Sequence, residues 1–345
     1  MATMTLDEVA KIAGVSKSTV SRVINNSSRV APDVSRLVLD TMQKIGYQVP
    51  ARRPGPKAIG RKGIRTGNIL LLMLGMSAGE QFLGRGYPEL LNGIENATRE
   101  SGLKLIFSGI DRDGVIPVAL DEDEVDGVLL FGHSHSLSQA AGARLKDIPT
   151  VGLMRGFDEL RGQIDRVLYD NAMVGPMAAD YLAKRGHKCV GFWSIDPLHP
   201  AFIPRLRDFT RVAQEIGLEV VSLVADHKPE TFRQELAQYQ ALSERLIAAP
   251  GKITGLFVAA DYQLPQLYHS LELKGMRPGK DLDFISCDNA PFFLDHLTPR
   301  PASIDINLKL VGRRGVEQLL WRMANPAICN RSHLLIEPVL VPAMD

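Results

Sequence analysis

Cysteine is scarce. Cys189, Cys287 and Cys329 are odd in number and far apart, which excludes a disulfide framework and a closed metal spacing. They read as buried or half-buried thiols. No window approaches the ~18 consecutive apolar residues of a membrane span. The first residues carry no charged-then-apolar leader, so a cytoplasmic location is expected. Catalytic signatures are missing as well. No nucleophile sits beside a base, and no Ser-His-Asp elbow occurs. The glycine-rich stretch "GMSAGEQFLGRG" (75–86) has neither a Walker Lys-Ser/Thr nor Rossmann spacing. His133 and His135 have a two-residue spacing but no third ligand, so they read as a loop rather than a metal site. No enzyme activity, cofactor or metal is expected.

The charge is unevenly spread. The 345 residues are 45% hydrophobic and 23% charged, with net charge +1. That is globular and longer than one typical domain. Through Gly67, however, twelve Lys/Arg face four acids, a local charge of +8. The remainder carries −7. A small anion-binding module on a neutral-to-acidic body is the reading.

The first fifty residues contain three short helices. Thr5 and Glu8 form a capping box ahead of Leu6, Val9, Ala10 and Ala13. Gly14 suits the end of that helix. Ser16 can cap a second helix, "KSTVSRVIN", with an inner face of Val20, Val23 and Ile24. Pro32 opens a third, where Val34, Leu37, Val38, Met42 and Ile45 recur. Only three residues separate the first two, which is a helix-turn-helix arrangement. The second helix has a polar, basic outer face of Lys17, Ser18, Ser21, Arg22 and Asn25. Hydroxyls for phosphates, an arginine for a guanine edge and two residues near the N-terminal end suit entry into a major groove. A three-helix bundle with a solvated face is the bland alternative.

"TLDEVAKIAGVSKSTVSRVINNSSRV", followed by a third helix ending "IGY", strongly resembles the DNA-binding headpiece of lactose-repressor-type (LacI) transcription regulators. The resemblance implies that Lys17, Ser18 and Arg22 read bases. It implies that Thr5, Ser16, Thr19, Ser21 and Asn25 contact the DNA backbone or cap helices. Ala31 stands where the family usually has a capping residue, a loss of about 1 kcal/mol.

Beyond Asn68, near-continuous apolar runs alternate with amphipathic stretches. "ILLLML", "VDGVLLFG", "KCVGFWSI", "ITGLFVAA" and "DFISCDN" read as strands. "YPELLNGIENATRESG" and "IPRLRDFTRVAQEIG" read as helices. This alternation means parallel sheets covered on both faces. Two three-layer lobes with a ligand crevice at the strand C-termini are expected. "VDGVLLFG", "YDN", "RGHKCVGF", "RLRDF" and "LKLVGRRGVEQLL" continue the resemblance. It implies a body like a periplasmic sugar-binding protein, crossed three times, near Arg185, Ile304 and Pro326. Lobe 1 is then 68–184 and 305–326, and lobe 2 is 185–303 and 327–345. Asp170, Arg205, Asp261 and Asp288 match family positions that face the cleft. Carboxylates and a forked donor suit a sugar or other neutral polyol; a helix cap or an ion pair between lobes is the alternative for each. Trp193, at a strand end, would stack on a sugar ring or simply pack in a core.

Between headpiece (1–49) and body (68–345) lies a linker, 50–67. Its "RRPGPKAIGRKGIRTGN" stretch runs on to Asn68, lacks any acid and holds two prolines and four glycines. The family usually has a short hinge helix here, with a leucine that wedges into the minor groove. This chain keeps Ala51-Arg52 and loses the leucine. Pro54, Pro56, Gly55 and Gly60 disfavour a helix. A cationic arm with Arg52, Arg53 and Lys57 in the minor groove is the functional reading, and a plain tether is the other. The whole reads as a sequence-specific regulator, and the resemblance implies a repressor. It would act as a homodimer on a pseudo-palindromic operator, under a small polar effector. A solute-binding protein without a DNA role is the rival.

Overall fold

A computed structural model describes residues 6–24, 30–45, 47, 63–74, 87–110, 117–121, 124–132, 139–154, 160, 162–249 and 253–344. The chain divides into two compact units, Met1–Lys57 and Ala58–Asp345.

In the first unit, α1 (Leu6–Ala13), α2 (Lys17–Ile24) and α3 (Pro32–Lys44) surround a small core of Val9, Ala10, Ala13, Val20, Val23, Val38 and Met42. The Val15 amide reaches back to the Ala10 carbonyl at 3.0 Å and closes α1. One residue on, the Ser16 hydroxyl accepts from the Thr19 amide at 3.1 Å and opens α2. These two caps fix the tight turn between the helices. α3 starts at Pro32 after Ala31, which supplies no side-chain cap.

The second unit holds two six-stranded sheets. Lobe 1 is built on β1 (Asn68–Leu74), β2 (Lys104–Ile110), β3 (Gly127–Gly132), β4 (Thr150–Leu153), β5 (Asp165–Tyr169) and β11 (His333–Ile336). Their order is β11-β5-β4-β3-β1-β2, all parallel. Lobe 2 is built on β6 (Cys189–Ser194), β7 (Glu219–Val224), β8 (Gly255–Val258), β9 (Asp283–Cys287), β10 (Ala302–Asp305) and β12 (Val339–Val341). Their order is β12-β10-β9-β8-β6-β7, with only the edge strand β12 antiparallel. The inner strands β1, β3 and β6 are buried almost throughout, as a sheet covered on both faces requires.

The helices that cover the sheets are α4 (Pro88–Glu100), α5 (Val118–Asp121) and α6 (Gln139–Asp147), then α7 (Asn171–Lys184), α8 (Phe202–Glu215) and α9 (Phe232–Ile247). After them come α10 (Leu264–Glu272), the short α11 (Pro291–Leu294) and α12 (Leu308–Ala324). α12 packs on α4 and on the sheet of lobe 1. The approach is close because Gly93 and Gly312 lie at the crossing. A Cβ on Gly312 would stand 2.3 Å from the Leu90 carbonyl oxygen.

Two crossovers differ from the sequence expectation. The chain leaves lobe 1 at Asp170, before α7, and not near Arg185. α7 is apolar on a broad face and packs on α8 and the strands of lobe 2. It returns to lobe 1 at 305–308, close to the expected Ile304. The last crossing falls between Ile336 and Val339 rather than near Pro326, because β11 adds to the sheet of lobe 1 beside β5. The three crossings are laced together. The Asp170 amide donates to the Ile336 carbonyl at 2.8 Å, and Asn307 Nδ2 donates to the Glu337 carbonyl at 2.8 Å.

Candidate functional site

The first unit presents one polar face on α2. Val20 and Val23 point into the core, and Lys17, Ser18 and Arg22 are exposed. At ~100° per residue those three fall within an arc of about 140°. Ser16 stands just before the helix, and its hydroxyl lies 2.8 Å from the hydroxyls of both Ser18 and Thr19. Ser16 is therefore a cap first. Thr5, Asn25, the side chain of Ser21, and the arm residues Arg52, Arg53 and Lys57 lie outside what the structure describes.

The second unit brings four of its five expected residues to the strand ends of lobe 2 and the adjoining crossover. Arg205, on the first turn of α8, is 1% exposed and serves as the hub. Its Nε donates to Asn171 Oδ1 at 2.9 Å, and its Nη1 donates to the Ala259 carbonyl at 2.6 Å. Its Nη2 stands 3.6 Å from Asp288 Oδ1. The rings of Tyr169 and Phe202 flank the guanidinium at 5.9 and 5.6 Å. Burial works against its charge, but Cys287, Tyr169, Asp288 and Asp261 nearby outweigh that and raise its pKa.

Asp288 and Asn289 follow β9 in left-handed backbone, with φ of 113° and 48°. Non-glycine residues hold such angles only where the surroundings dictate them. Here they do. The Asp288 amide donates to the Ile304 carbonyl at 2.9 Å. The Asn289 amide donates to Ser303 Oγ at 3.0 Å, and its Nδ2 donates to Asp305 Oδ2 at 3.1 Å. Arg300 Nη2 donates to Asn289 Oδ1 at 3.0 Å. The Asp288 side chain keeps 16% of its surface exposed, so a ligand can reach its carboxylate, unlike that of Asp261.

Asp261 does not fill the expected role. It is fully buried and accepts from the Ser286 hydroxyl, from Ser303 Oγ at 2.9 Å and from the Ala290 amide at 2.7 Å. Its carboxylate braces the Asp288–Ala290 loop from behind. Burial raises the pKa of both Asp261 and Asp288; in Asp261 repulsion from Asp288 adds to this, and in Asp288 Arg205 opposes it. Trp193 is a second correction. It is 0% exposed and stacks on Tyr239 at 6.0 Å, on the side of β6 away from Phe192. Strand alternation sends Phe192 and Trp193 to opposite faces, so no ring face is left for a sugar. Asp170 sits at the first crossover and caps α7 through the Ala172 amide at 3.0 Å. Three polar residues were not anticipated: Asn171, Asn289 and Asp305. Asn171 belongs to the quoted "YDN" and shares Arg205 with the site. The roles of Asn289 and Asp305 come from positive φ and strand pairing, which leave no composition signal.

A model of bacterial regulatory proteins of the lacI family matches residues 5–49, and one of a periplasmic binding protein-like domain matches residues 179–342. The chain belongs to the lacI family. Relatives of the chain include catabolite control protein A of Priestia megaterium, 26% identical over 293 residues, which cover 83% of this chain and 82% of that one. The repressor PurR of Vibrio cholerae is 27% identical over 331 residues, 92% and 91% of the two chains. Among solved structures, a complex of the regulator CelR with cellobiose aligns with TM-score 0.66 at 24% identity over 99% of both chains. A lac repressor dimer bound to operator aligns at 0.61 and 18% over 99% and 98%. At such identity the structures establish the lacI-type fold. No helix among the described residues is long and apolar enough to cross a membrane.

Proposed function

We propose that this lacI-family protein is a sequence-specific transcription repressor whose operator affinity is set by a small polar ligand, a sugar, held against the Asp288 and Arg205 cluster. The observation that carries the reading is the exposed row Lys17, Ser18 and Arg22 on the second helix of a three-helix unit. Such a row enters a major groove end-first, with Arg22 on a guanine edge. Thr5, Ser16, Thr19, Ser21 and Asn25 contact the phosphates or cap the helices that do.

One headpiece of this size binds weakly, so two copies on a pseudo-palindrome are expected. The arm residues Arg52, Arg53 and Lys57 follow the minor groove at its centre. The body, from about residue 68, binds the effector and dimerises. CelR binds cellobiose and another structure of this fold holds ribose; Asp288, with a carboxylate partly open to solvent, suits hydroxyl donors of that kind. The work is done in the cytoplasm and involves no catalysis.

The test is a selection of random duplexes on the purified protein. Enrichment of a palindrome with G·C steps in each half supports the reading. Retention of no duplex, with and without a panel of neutral sugars, refutes it in favour of a solute-binding protein.

A further inference from the structure

The segment that leads from the body toward the linker is fastened at a single carboxylate. Asp126 lies just before β3 and is 7% exposed. Its Oδ1 accepts from the Arg65 amide at 3.0 Å and from the Thr66 amide at 2.9 Å. Its Oδ2 accepts from the Thr66 amide at 3.0 Å and from the Gly67 amide at 2.7 Å. Three successive backbone donors converge on one anion, the geometry of a backbone nest. The Asp126 amide in turn donates to the Asn68 carbonyl at 2.9 Å, and Asn68 Nδ2 donates to the Glu124 carbonyl at 2.8 Å. Ile64 packs on the core of lobe 1.

The same segment is seated on the end of α12. Gly63 has φ 90°, and a Cβ there would stand 2.1 Å from the Met323 carbonyl oxygen. Only glycine fits this contact. The next residue on α12 toward its start, Arg322, forms a buried ion pair with Asp165 at the start of β5, at 2.7 Å. It also donates to the Asn330 carbonyl at 2.8 Å, in the segment that leads into β11. α12 therefore runs from the crossing at 305–308 to the starts of β5 and β11, the strand ends away from the other two crossings. Its first residue follows the crossing at 305–308, where Asp305 holds Asn289 of the ligand cluster. Its last turn bears on Gly63 and on strands that run into the other two crossings. The helix has 17 residues, about 25 Å of rigid path from hinge to linker.

We propose that Asp126 is a positioning residue for operator binding: its clamp on Arg65, Thr66 and Gly67 fixes where the linker leaves lobe 1, on the end of the helix that runs from the hinge. The body thereby sets the reach of each headpiece, and lobe movement is delivered to the linker at Gly63. The proposal rests on the DNA-binding reading above. A dimer gains affinity from its second headpiece only if the tether holds it near the second half-site. Loosening the exit point therefore weakens binding to a full palindrome and leaves a single half-site untouched.

The experiment uses the full-length protein and the duplex enriched from a random pool, together with the same duplex carrying one scrambled half. Affinity for both is measured for the wild type, Asp126→Ala, Asp126→Asn and Gly63→Ala. Asp126→Ala is expected to reduce the ratio of full-site to half-site affinity by about tenfold or more. The amides of Arg65, Thr66 and Gly67 should exchange with solvent correspondingly faster. Asp126→Asn, which keeps one carbonyl acceptor, should lose less. Gly63→Ala leaves the carboxylate in place and should lower the ratio by displacing the exit point; it and the Asn variant decide the matter should the Ala variant not fold. An unchanged ratio with freely exchanging amides would overturn the proposal and leave the DNA-binding reading standing. Unchanged amide protection would overturn the clamp itself. A wild type that retains no duplex would remove both.

Discussion

The two candidate sites handle polar groups in opposite ways. On α2, Lys17, Ser18 and Arg22 project from the surface. At the strand ends of lobe 2, Arg205, Asp261, Asn289 and Asp305 are each hydrogen-bonded within the chain. A surface that meets DNA can leave its readers exposed because water satisfies them beforehand. A crevice cannot, because a buried polar group without a partner costs about 1–3 kcal/mol. Much of the lobe-2 cluster therefore builds the site, with Arg205 and Asp261 buried and Asp288 left partly open to meet a ligand.

The sharpest way to break this contrast is at Arg205. If it is a hub rather than only a ligand contact, Arg205→Ala lowers the stability of the body by about 3–5 kcal/mol, read by urea unfolding. An effect on ligand affinity alone would make it a surface-like reader. Trp193→Leu comes next. It should cost about 2 kcal/mol of stability and change sugar affinity less than twofold, whereas a stacking tryptophan would lose both.

On the DNA side, neutralising Arg52, Arg53 and Lys57 should reduce the salt slope of operator binding by roughly two to three units. An unchanged slope makes the arm a tether. Asp261→Asn bears on pH. Both carboxyls have raised pKa values in the folded state, so the native chain holds more protons than the unfolded one above the ordinary carboxylate range. Stability contributed by these groups is present at low pH and declines as pH rises toward neutrality. The Asn variant should flatten that decline in thermal unfolding scans. The smallest effect is a gain: Ala31→Ser should stabilise the headpiece by about 1 kcal/mol by capping α3.

The headpiece was legible because its helices are short, capped by Ser16 and punctuated by Gly14 and Pro32. The inner strands were legible as continuous apolar runs. What escaped the sequence was short or tertiary. "DRVLY", "ASID", "HLLI" and "VLV" form β5, β10, β11 and β12, but each is five residues or fewer and reads equally as loop. Missing β11 displaced the last crossover. The first was displaced because α7 reads as a helix without revealing which sheet it covers. Asp261 and Trp193 went astray for one reason. Position at a strand end is readable, but whether a side chain turns into the crevice or into the core depends on neighbours 25 and 42 residues away in the chain, Ser286 and Ser303 around Asp261.

The central claim is that reading DNA and binding ligand reside in separable residues of one chain. The direct measurement is operator affinity and sugar affinity, side by side, for Arg22→Ala and Asp288→Ala. The sugar is whichever member of a neutral panel, cellobiose and ribose included, raises the unfolding temperature of the wild type. Arg22→Ala should lose specific duplex binding, by about 1–3 kcal/mol per half-site, and keep its sugar affinity. Asp288→Ala should keep duplex binding and lose the sugar together with its effect on DNA. Both variants losing both functions, or Arg22→Ala keeping its operator, would contradict the account.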